Sequence, residues 1–233
     1  MTRRLLPWLL AIVGLVCTGA VLALADAATE HDGPAASDPS ITSEMVAHRD
    51  QALTTLAQGA SLVGSEASVA VLTVLVMVVL VVAHRRGTAV RVAVAMGGAA
   101  ALVVGIKHLV LRARPGSVDV LGPVDHGYSF PSGHTLLSSV FVAVVVALLW
   151  RRLHSPAARV VAVVSAVLVA LLVGASRVYL GYHWATDVAA SWLVATAWCS
   201  LLALVLLLVP RGQLVASRDD RRAGAAAITA ARR

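Results

Sequence analysis

The sequence predicts an all-α fold, a polytopic membrane helix bundle with six transmembrane helices. Hydrophobic residues make up 59% of the 233-residue chain and charged residues only 13%, and the mean hydropathy is +0.85. A soluble domain typically carries about 25% charged residues. The apolar residues also occur in blocks separated by short polar segments, which is typical of a chain that crosses a bilayer several times.

Six apolar stretches are each close to the roughly 20 residues that a helix needs to cross the hydrocarbon layer. Valine and alanine dominate them, and Val-rich runs also occur in buried strands. A lone strand in lipid would leave its backbone groups unpaired, however, so helices are favoured. The predicted spans cover residues 5–25, 67–83, 92–111, 135–150, 160–175 and 188–209.

The first stretch has two interpretations. Arg3 and Arg4, the apolar run after them and the small residues at 23–25 resemble a secretory signal peptide. The run is longer than the roughly 7–15 residues of a signal core, which favours a retained first helix within residues 1–25. Cleavage would leave five spans and would not alter the chemistry proposed below.

The basic residues predict the orientation of the spans. Fourteen of the 19 Lys and Arg residues lie before the first span, in the loops after spans two and four, or after Pro210. The positive-inside rule makes these segments cytoplasmic. The net charge of +7 is then a signal of topology, and no nucleic-acid partner is needed to explain it. Four other basic residues lie at the outer ends of spans three and five: Lys107, Arg112, Arg114 and Arg177.

The topology divides the chain into four segments. Residues 1–25 form the first helix, 67–209 the membrane core and 210–233 a cytoplasmic tail. Residues 26–66 are acidic and are expected outside the cell. Within this outer segment, the near-helical spacing of apolar residues over 41–60 predicts a helix on the membrane surface or a solvated amphipathic connector.

The first polar group runs from Lys107 to Pro115. Lys107 and Arg114 are seven residues apart, so a helix would place both cations on one stripe, and Pro115 is expected to end that helix. A lysine inside an apolar run calls for an anionic partner. For Arg112, snorkelling toward the interface is the favoured interpretation.

The second group is the Pro-Ser-Gly-His segment where span four begins. Ser132 and Gly133 at a helix start leave backbone N–H groups directed outward, and these groups can bind an anion that Gly133 allows to approach closely. His134 would then lie beside that anion. A capped helix with an incidental histidine explains these residues equally well when they are considered alone.

The third group, Ser176 to Asp187, connects spans five and six. His183 and Asp187 are four residues apart, so on a helix their side chains meet. A carboxylate on one imidazole nitrogen leaves the other as a nucleophile, and Arg177 adds a planar fork that suits phosphate. Alone, the His-Asp pair could equally be half of a metal site or a hydrogen bond at a helix start.

Together the three groups resemble the signature of the type 2 phosphatidic acid phosphatase superfamily. Its pattern is Lys-x6-Arg-Pro, Pro-Ser-Gly-His and Ser-Arg-x5-His-x3-Asp, and all three parts occur in order between residues 107 and 187 without a substitution. The predicted topology also brings them to one outer face, where cations and backbone donors could stabilise a phosphoryl group in transfer. The resemblance implies a membrane lipid phosphatase that forms a phosphohistidine intermediate, related to the soluble vanadium haloperoxidases.

The resemblance implies a role for each matching residue. His183 is similar to the nucleophile, Asp187 to the residue that orients it, and His134 to the general acid. The residues expected to hold the phosphate are Lys107, Arg114, Ser132, Gly133 and Arg177. The family uses no metal or other cofactor for this chemistry, and Cys17 and Cys199 lie in apolar runs without the spacing of a zinc site.

The expected substrates are polyprenyl diphosphate, phosphatidylglycerol phosphate, phosphatidic acid or a similar lipid. A site on the outer face of the cell membrane favours polyprenyl diphosphate, although no residue decides between them. One alternative is a lipid phosphotransferase that passes the phosphate to an alcohol. Another is a non-catalytic lipid-binding or transport protein, against which the intact His134, His183 and Asp187 argue. The sequence leaves the oligomeric state open.

Overall fold

The computed structural model describes residues 2–209, and all regular structure in that part of the chain is helical. The predicted tail over 210–233 lies outside the described residues. Two short 3-10 turns, Gly33–Ser37 and Ser117–Asp119, lie among the α-helices. The α-helices are α1 (Thr2–Glu30), α2 (Asp38–Ala47), α3 (Gln51–Val63), α4 (Glu66–Val82), α5 (Arg86–Val110), α6 (Gly133–Leu149), α7 (Pro156–Tyr179) and α8 (Ala185–Leu208).

Each of the six predicted apolar stretches corresponds to one of these helices. Among the described residues, α1, α5, α7 and α8 are long and apolar enough to cross a membrane, and α3 with α4, bent by 46°, forms a fifth candidate when taken as one span. Helix α6 is apolar but has 17 residues, or about 25 Å of helix. The prediction of an all-helical membrane fold is confirmed, and the count of six spans stays a prediction.

The largest apolar cluster lies between α4, α5, α6 and α8. At its edge, the indole of Trp198 packs so closely on α5 that a Cβ at Gly98 would overlap it. The same indole donates from Nε1 to the carbonyl oxygen of Ala95 at 2.8 Å. This contact fixes α8 against α5, which aligns the start of α8 with the end of α5. The fully buried members of the cluster include Ala99, Leu136 and Val140.

The outer segment differs from its prediction. In place of one helix over 41–60, the structure has α2 and α3, and α1 extends through Glu30. The break follows from Asp50, whose Oδ1 accepts from the N–H groups of Ala52 and Leu53 and so begins a new helix. Arg49 in this break donates to the carbonyl oxygens of Tyr179 and Asp119. The segment is therefore tied to the end of α7.

Candidate active site

The candidate site lies where the C-terminal ends of α5 and α7 meet the N-terminal ends of α6 and α8. Hydrogen bonds join these ends: Ser191 Oγ donates to the carbonyl oxygen of Ser132 at 3.1 Å, and Trp184 Nε1 donates to that of Ala113 at 2.9 Å. The three polar groups of the sequence thus come to one end of the bundle. The predicted site residues at these helix ends are Lys107, Arg114, Ser132, Gly133, His134, Arg177, His183 and Asp187.

His183 and Asp187 meet as expected, although His183 lies just before α8 rather than on it. Asp187 is the third residue of the helix, and its Oδ2 accepts from the N–H of Trp184 at 3.0 Å, which caps the helix start. The same oxygen lies 3.3 Å from His183 Nδ1. Both side chains are fully buried. The carboxylate favours the tautomer with a proton on Nδ1, which leaves a lone pair on Nε2.

The free nitrogen of His183 is directed toward a cation. Nε2 lies 3.3 Å from Nη1 of Arg114. Burial lowers the pKa of His183 to about 4, and this effect outweighs the raising effect of Asp187. The imidazole is therefore neutral at pH 7, as a nucleophile must be.

Arg114 and Arg177 converge on one carboxylate oxygen. Arg177 Nη2 donates to Asp125 Oδ2 at 2.8 Å, and Arg114 Nη1 lies 3.6 Å from that same oxygen. The guanidinium of Arg177 is held by Ser61 Oγ, at 2.7 Å, and lies over the ring of Tyr182 with its carbon 3.9 Å from the ring centre. The oxygen of Asp125 therefore marks a point where two cations can share one oxyanion.

The start of α6 carries the Pro-Ser-Gly-His residues. Ser132 caps the helix, and its buried Oγ accepts from the hydroxyl of Thr135 at 3.0 Å and from its N–H, so the hydrogen on Oγ is left to donate. A Cβ at Gly133 would overlap the carboxylate of Glu66, which begins α4. A carboxylate therefore lies close to this helix start, where the helix dipole favours negative charge, and the phosphate site predicted there stays a prediction.

His134 and Lys107 complete the cluster and are both partly exposed. Lys107 lies in the last turn of α5, where the charges of Arg114, Glu66, Asp125 and Asp187 act on it. The charged groups that act on His134 are Arg177, His183, Asp125 and Lys107. His134 and His183 therefore belong to one polar cluster, in which His134 is the more exposed of the two.

The chain after α5 differs from two predictions, one about Arg112 and one about Arg114. Arg112 does not snorkel: its side chain is 3% exposed, Nη1 donates to Asp187 Oδ1 at 2.6 Å, and Nη2 donates to Asp38 Oδ2 at 2.7 Å. The reason is that α5 ends at Val110 and Leu111 adopts a left-handed conformation, with φ of 55°, which turns the chain and directs Arg112 inward. Arg114 consequently lies beyond the helix, and the prediction of one helical stripe with Lys107 is wrong.

Three carboxylates outside the sequence motifs also contribute to the site: Asp38, Glu66 and Asp125. Asp38 and Glu66 begin α2 and α4, and Asp125 lies in the loop before α6. None of these three residues stands at a fixed distance in the sequence from the three motifs, so the motifs do not identify them. Within residues 2–209, no group of three or more His, Cys, Asp or Glu side chains is arranged to hold a metal ion.

These features define a helical membrane protein whose polar site, at four helix ends, combines a buried histidine with converging arginines. The model of the PAP2 superfamily matches residues 88–209, more than half of the chain. The chain therefore belongs to the PAP2 superfamily. The resemblance seen in the three sequence motifs is confirmed, because this match includes all of them.

Two relatives and one solved structure resemble the chain. An undecaprenyl-diphosphatase from Sulfolobus acidocaldarius is 34% identical over 103 residues, which cover 42% of this chain and 45% of the relative. Phosphatidylglycerophosphatase B from Bacillus subtilis is 37% identical over 87 residues, which cover 36% of this chain and 40% of the relative. The aligned region thus spans less than half of each relative.

The structural comparison supports the fold. A transmembrane PAP2 type phosphatidylglycerolphosphate phosphatase from Bacillus subtilis superposes with a TM-score of 0.75, covering 85% of this chain and 98% of that one. The two sequences are 23% identical. The helix arrangement is therefore shared although most side chains differ.

Proposed function

We propose that the protein is an integral membrane phosphatase that hydrolyses a lipid phosphate or diphosphate through a phosphohistidine intermediate on His183. The observation that carries the proposal is the placement of His183, with Nδ1 against Asp187 and Nε2 beside Arg114. The two relatives named as lipid phosphatases support the same reaction class.

In the first step, the lone pair on His183 Nε2 attacks phosphorus, and a P–N bond forms while the bond to the leaving oxygen breaks. The leaving oxygen takes a proton from His134, the more exposed histidine of the cluster, whose protonated form is favoured by the negative charge of a bound phosphate. The equatorial oxygens are held by Lys107, Arg114 and Arg177, together with the Ser132 hydroxyl and the backbone at Gly133.

In the second step, water attacks phosphorus and gives a proton to His134. The P–N bond breaks, its electron pair returns to Nε2, and His134 regains the proton it lost in the first step. The products are inorganic phosphate and a lipid alcohol, or a lipid monophosphate when the substrate is a diphosphate. Neither of these two reaction steps requires a metal ion.

A lipid substrate fits the surroundings of the site. An apolar cavity of about 520 Å³ lies between α1, α6, α7 and α8, and Ser139 and Trp192 contribute to its lining. Ser139 follows His134 by five residues and Trp192 follows His183 by nine, about one and a half and two and a half helical turns, so the cavity lies deeper in the bundle than the site. Among the candidate lipids, an outward-facing site favours polyprenyl diphosphate.

The test of this proposal is phosphate release by the purified protein across a panel of polyprenyl diphosphate, phosphatidylglycerol phosphate and phosphatidic acid, with and without alcohol acceptors. Hydrolysis of at least one lipid supports the proposal. Transfer of phosphate to the alcohol in preference to water would instead make the protein a phosphotransferase. Absence of both activities, with binding of the lipid retained, would make it a binding or transport protein.

The proposed arrangement in the cell is six spans in the plasma membrane with the site on the extracytoplasmic side. The α5–α6 connection that holds Arg114 and the α6–α7 connection at residues 150–155 leave opposite ends of α6. The Arg-rich second connection, with Arg151 and Arg152, then lies in the cytoplasm. The roles of segments 1–25, 26–66, 67–209 and 210–233 stay predictions, and residues 210–233 lie outside the described part of the chain.

Cysteine labelling tests this sidedness. Ser117 is exposed on the site side and His154 on the opposite side. We expect Ser117→Cys to react with an impermeant thiol reagent in intact cells and His154→Cys to react only after the membrane is opened. His154 is preferred to Ser155 because Ser155 Oγ caps α7. The parent protein, with only its native cysteines, is the control, and the reverse labelling pattern would move the site to the cytoplasm.

A second expectation is that activity survives chelators of divalent metals and is inhibited by vanadate. Vanadate adopts the five-coordinate geometry of the phosphoryl group in transfer and can bond to His183, so it should bind more tightly than phosphate. The measurements are initial rates with chelator and inhibition constants for both anions. Loss of activity in chelator, restored by Mg²⁺, would contradict the metal-free mechanism.

Asp125 provides a third test, because its carboxylate lies where a substrate oxygen would meet Arg114 and Arg177. We expect Asp125→Asn to lower KM by about two- to fivefold, since a neutral amide competes less for the arginines, with kcat little changed. Asp119→Asn, on the same loop, is the matched control. A higher KM in Asp125→Asn would mean that the carboxylate positions Arg177 for the substrate instead.

A further inference from the structure

A buried ion network lies behind Asp187, on the side away from His183. Arg112 joins the carboxylates of Asp187 and Asp38, and its Nη1 also donates to Thr186 Oγ1 at 2.8 Å. The side chains of Arg112, Asp38 and Asp187 are 3%, 1% and 0% exposed. A guanidinium removed from water in this way is stable only if its charge is matched by partners, which here are the two carboxylates.

Asp38 attaches this network to the first turn of α8. Its Oδ1 accepts from the N–H of Thr186 at 3.0 Å, and its Oδ2 accepts from the hydroxyl of Thr186 as well as from Arg112. Asp38 is the first residue of α2, so a segment far away in the sequence holds the helix turn that carries Asp187. The negative charge also suits the N-terminus of α8.

The contacts of Asp187 divide cleanly between its two oxygens. Oδ1 accepts from Arg112, whereas Oδ2 accepts from the N–H of Trp184 and faces His183. Arg112 therefore fixes the rotation of the carboxylate that fixes the ring of His183. The ring of Trp184 covers the guanidinium, whose carbon lies 5.6 Å from the ring centre.

The charges in the network suit the proposed reaction. Two carboxylates and one guanidinium carry a net charge of minus one while His183 is neutral. When His183 bonds to phosphorus, its ring becomes cationic, and the buried negative charge then has a partner. Without Asp38, Arg112 alone would neutralise Asp187, and less of that stabilisation would remain for the ring.

We propose that Arg112 and Asp38 are positioning residues for the reaction, acting on His183 through Asp187. This inference rests on the proposed phosphatase function. Arg112 is buried, and its two terminal nitrogens are both bonded to groups of the network, so its effect on turnover passes through Asp187 rather than through contact with the phosphate.

The test is a double-mutant cycle between Arg112→Gln and Asp187→Asn, with rates expressed per active site. In the otherwise unchanged protein, we expect Arg112→Gln to lower kcat by roughly 100-fold and to change KM by less than about twofold. In the Asp187→Asn background, the same substitution should lower kcat by less than about threefold, because the group it positions has already lost its function. Asp38→Asn should follow the same pattern with a loss of roughly tenfold in the first background.

Arg49→Gln is the matched control, because Arg49 also ties outer segments together through hydrogen bonds but contacts Tyr179 and Asp119 rather than Asp187. Its effect on kcat should be small and equal in both backgrounds. If Arg112→Gln does not fold, Arg112→Lys replaces it: lysine keeps the charge without the fork, and its kcat loss should likewise vanish in the Asp187→Asn background.

Equal kcat losses in both backgrounds would overturn the inference, as would an effect of Arg112 variants confined to KM. The proposed function is tested separately by phosphate release from the unchanged protein and its loss in His183→Ala. If the unchanged protein releases phosphate and His183→Ala does not, but the Arg112 and Asp187 substitutions have additive effects on kcat, then only the positioning role is wrong.

Discussion

His183→Ala is expected to abolish phosphate release, with turnover reduced by at least about 10⁴-fold. In the proposed mechanism the buried imidazole supplies the attacking lone pair, and no other histidine faces both Asp187 and Arg114 among the described residues. Asp187→Asn should retain a small measurable rate, because it misplaces the nucleophile without removing it. Phosphate release in detergent, measured with the lipid that the wild-type protein hydrolyses fastest, is the readout.

The control for this substitution is His48→Ala, since His48 is an exposed histidine that pairs only with Glu44 in α2. Its turnover should match that of the wild type. Brief incubation with radiolabelled substrate, followed by denaturation, should also leave label on the protein that is released in acid and stable in alkali, as a phosphohistidine is. Full turnover by His183→Ala would exclude the histidine mechanism.

The helices and the contact between His183 and Asp187 could be predicted from the sequence because both depend on local signals. A transmembrane helix is predicted from the composition of about 20 neighbouring residues, and this prediction does not depend on the rest of the chain. The contact between His183 and Asp187 depends on a separation of four residues, and it survives although α8 begins after His183. Errors of one to six residues at helix ends did not affect these conclusions.

Arg112 could not be interpreted from the sequence because its partners are distant. A basic residue at the end of an apolar run is usually stabilised by reaching water, and local sequence gives no sign of a buried alternative. The buried partners of Arg112 are the carboxylates of Asp38 in α2 and Asp187 in α8. Asp125 and Glu66 escaped notice for the same reason, since only the packed bundle brings their carboxylates beside the cations.

His134→Gln is expected to slow hydrolysis of the natural lipid by about 10²- to 10⁴-fold, because the leaving oxygen then departs without a proton. The loss should depend on the leaving group. An aryl phosphate, whose phenolate leaves readily, should lose much less activity than an alkyl phosphate in the same variant. His183→Ala should lose both equally, because without the Nε2 lone pair neither substrate can be attacked at phosphorus.

The structure supports this separation of roles between the two histidines. His134 is partly exposed at the start of α6, where it can reach a leaving oxygen, while His183 is buried against Asp187. The matched control is His108→Gln, an exposed histidine of α5 whose ring packs on the edge of Tyr128. It should leave both substrates unaffected. Equal losses for alkyl and aryl phosphates in His134→Gln would show that His134 binds the phosphate and does not protonate the leaving group.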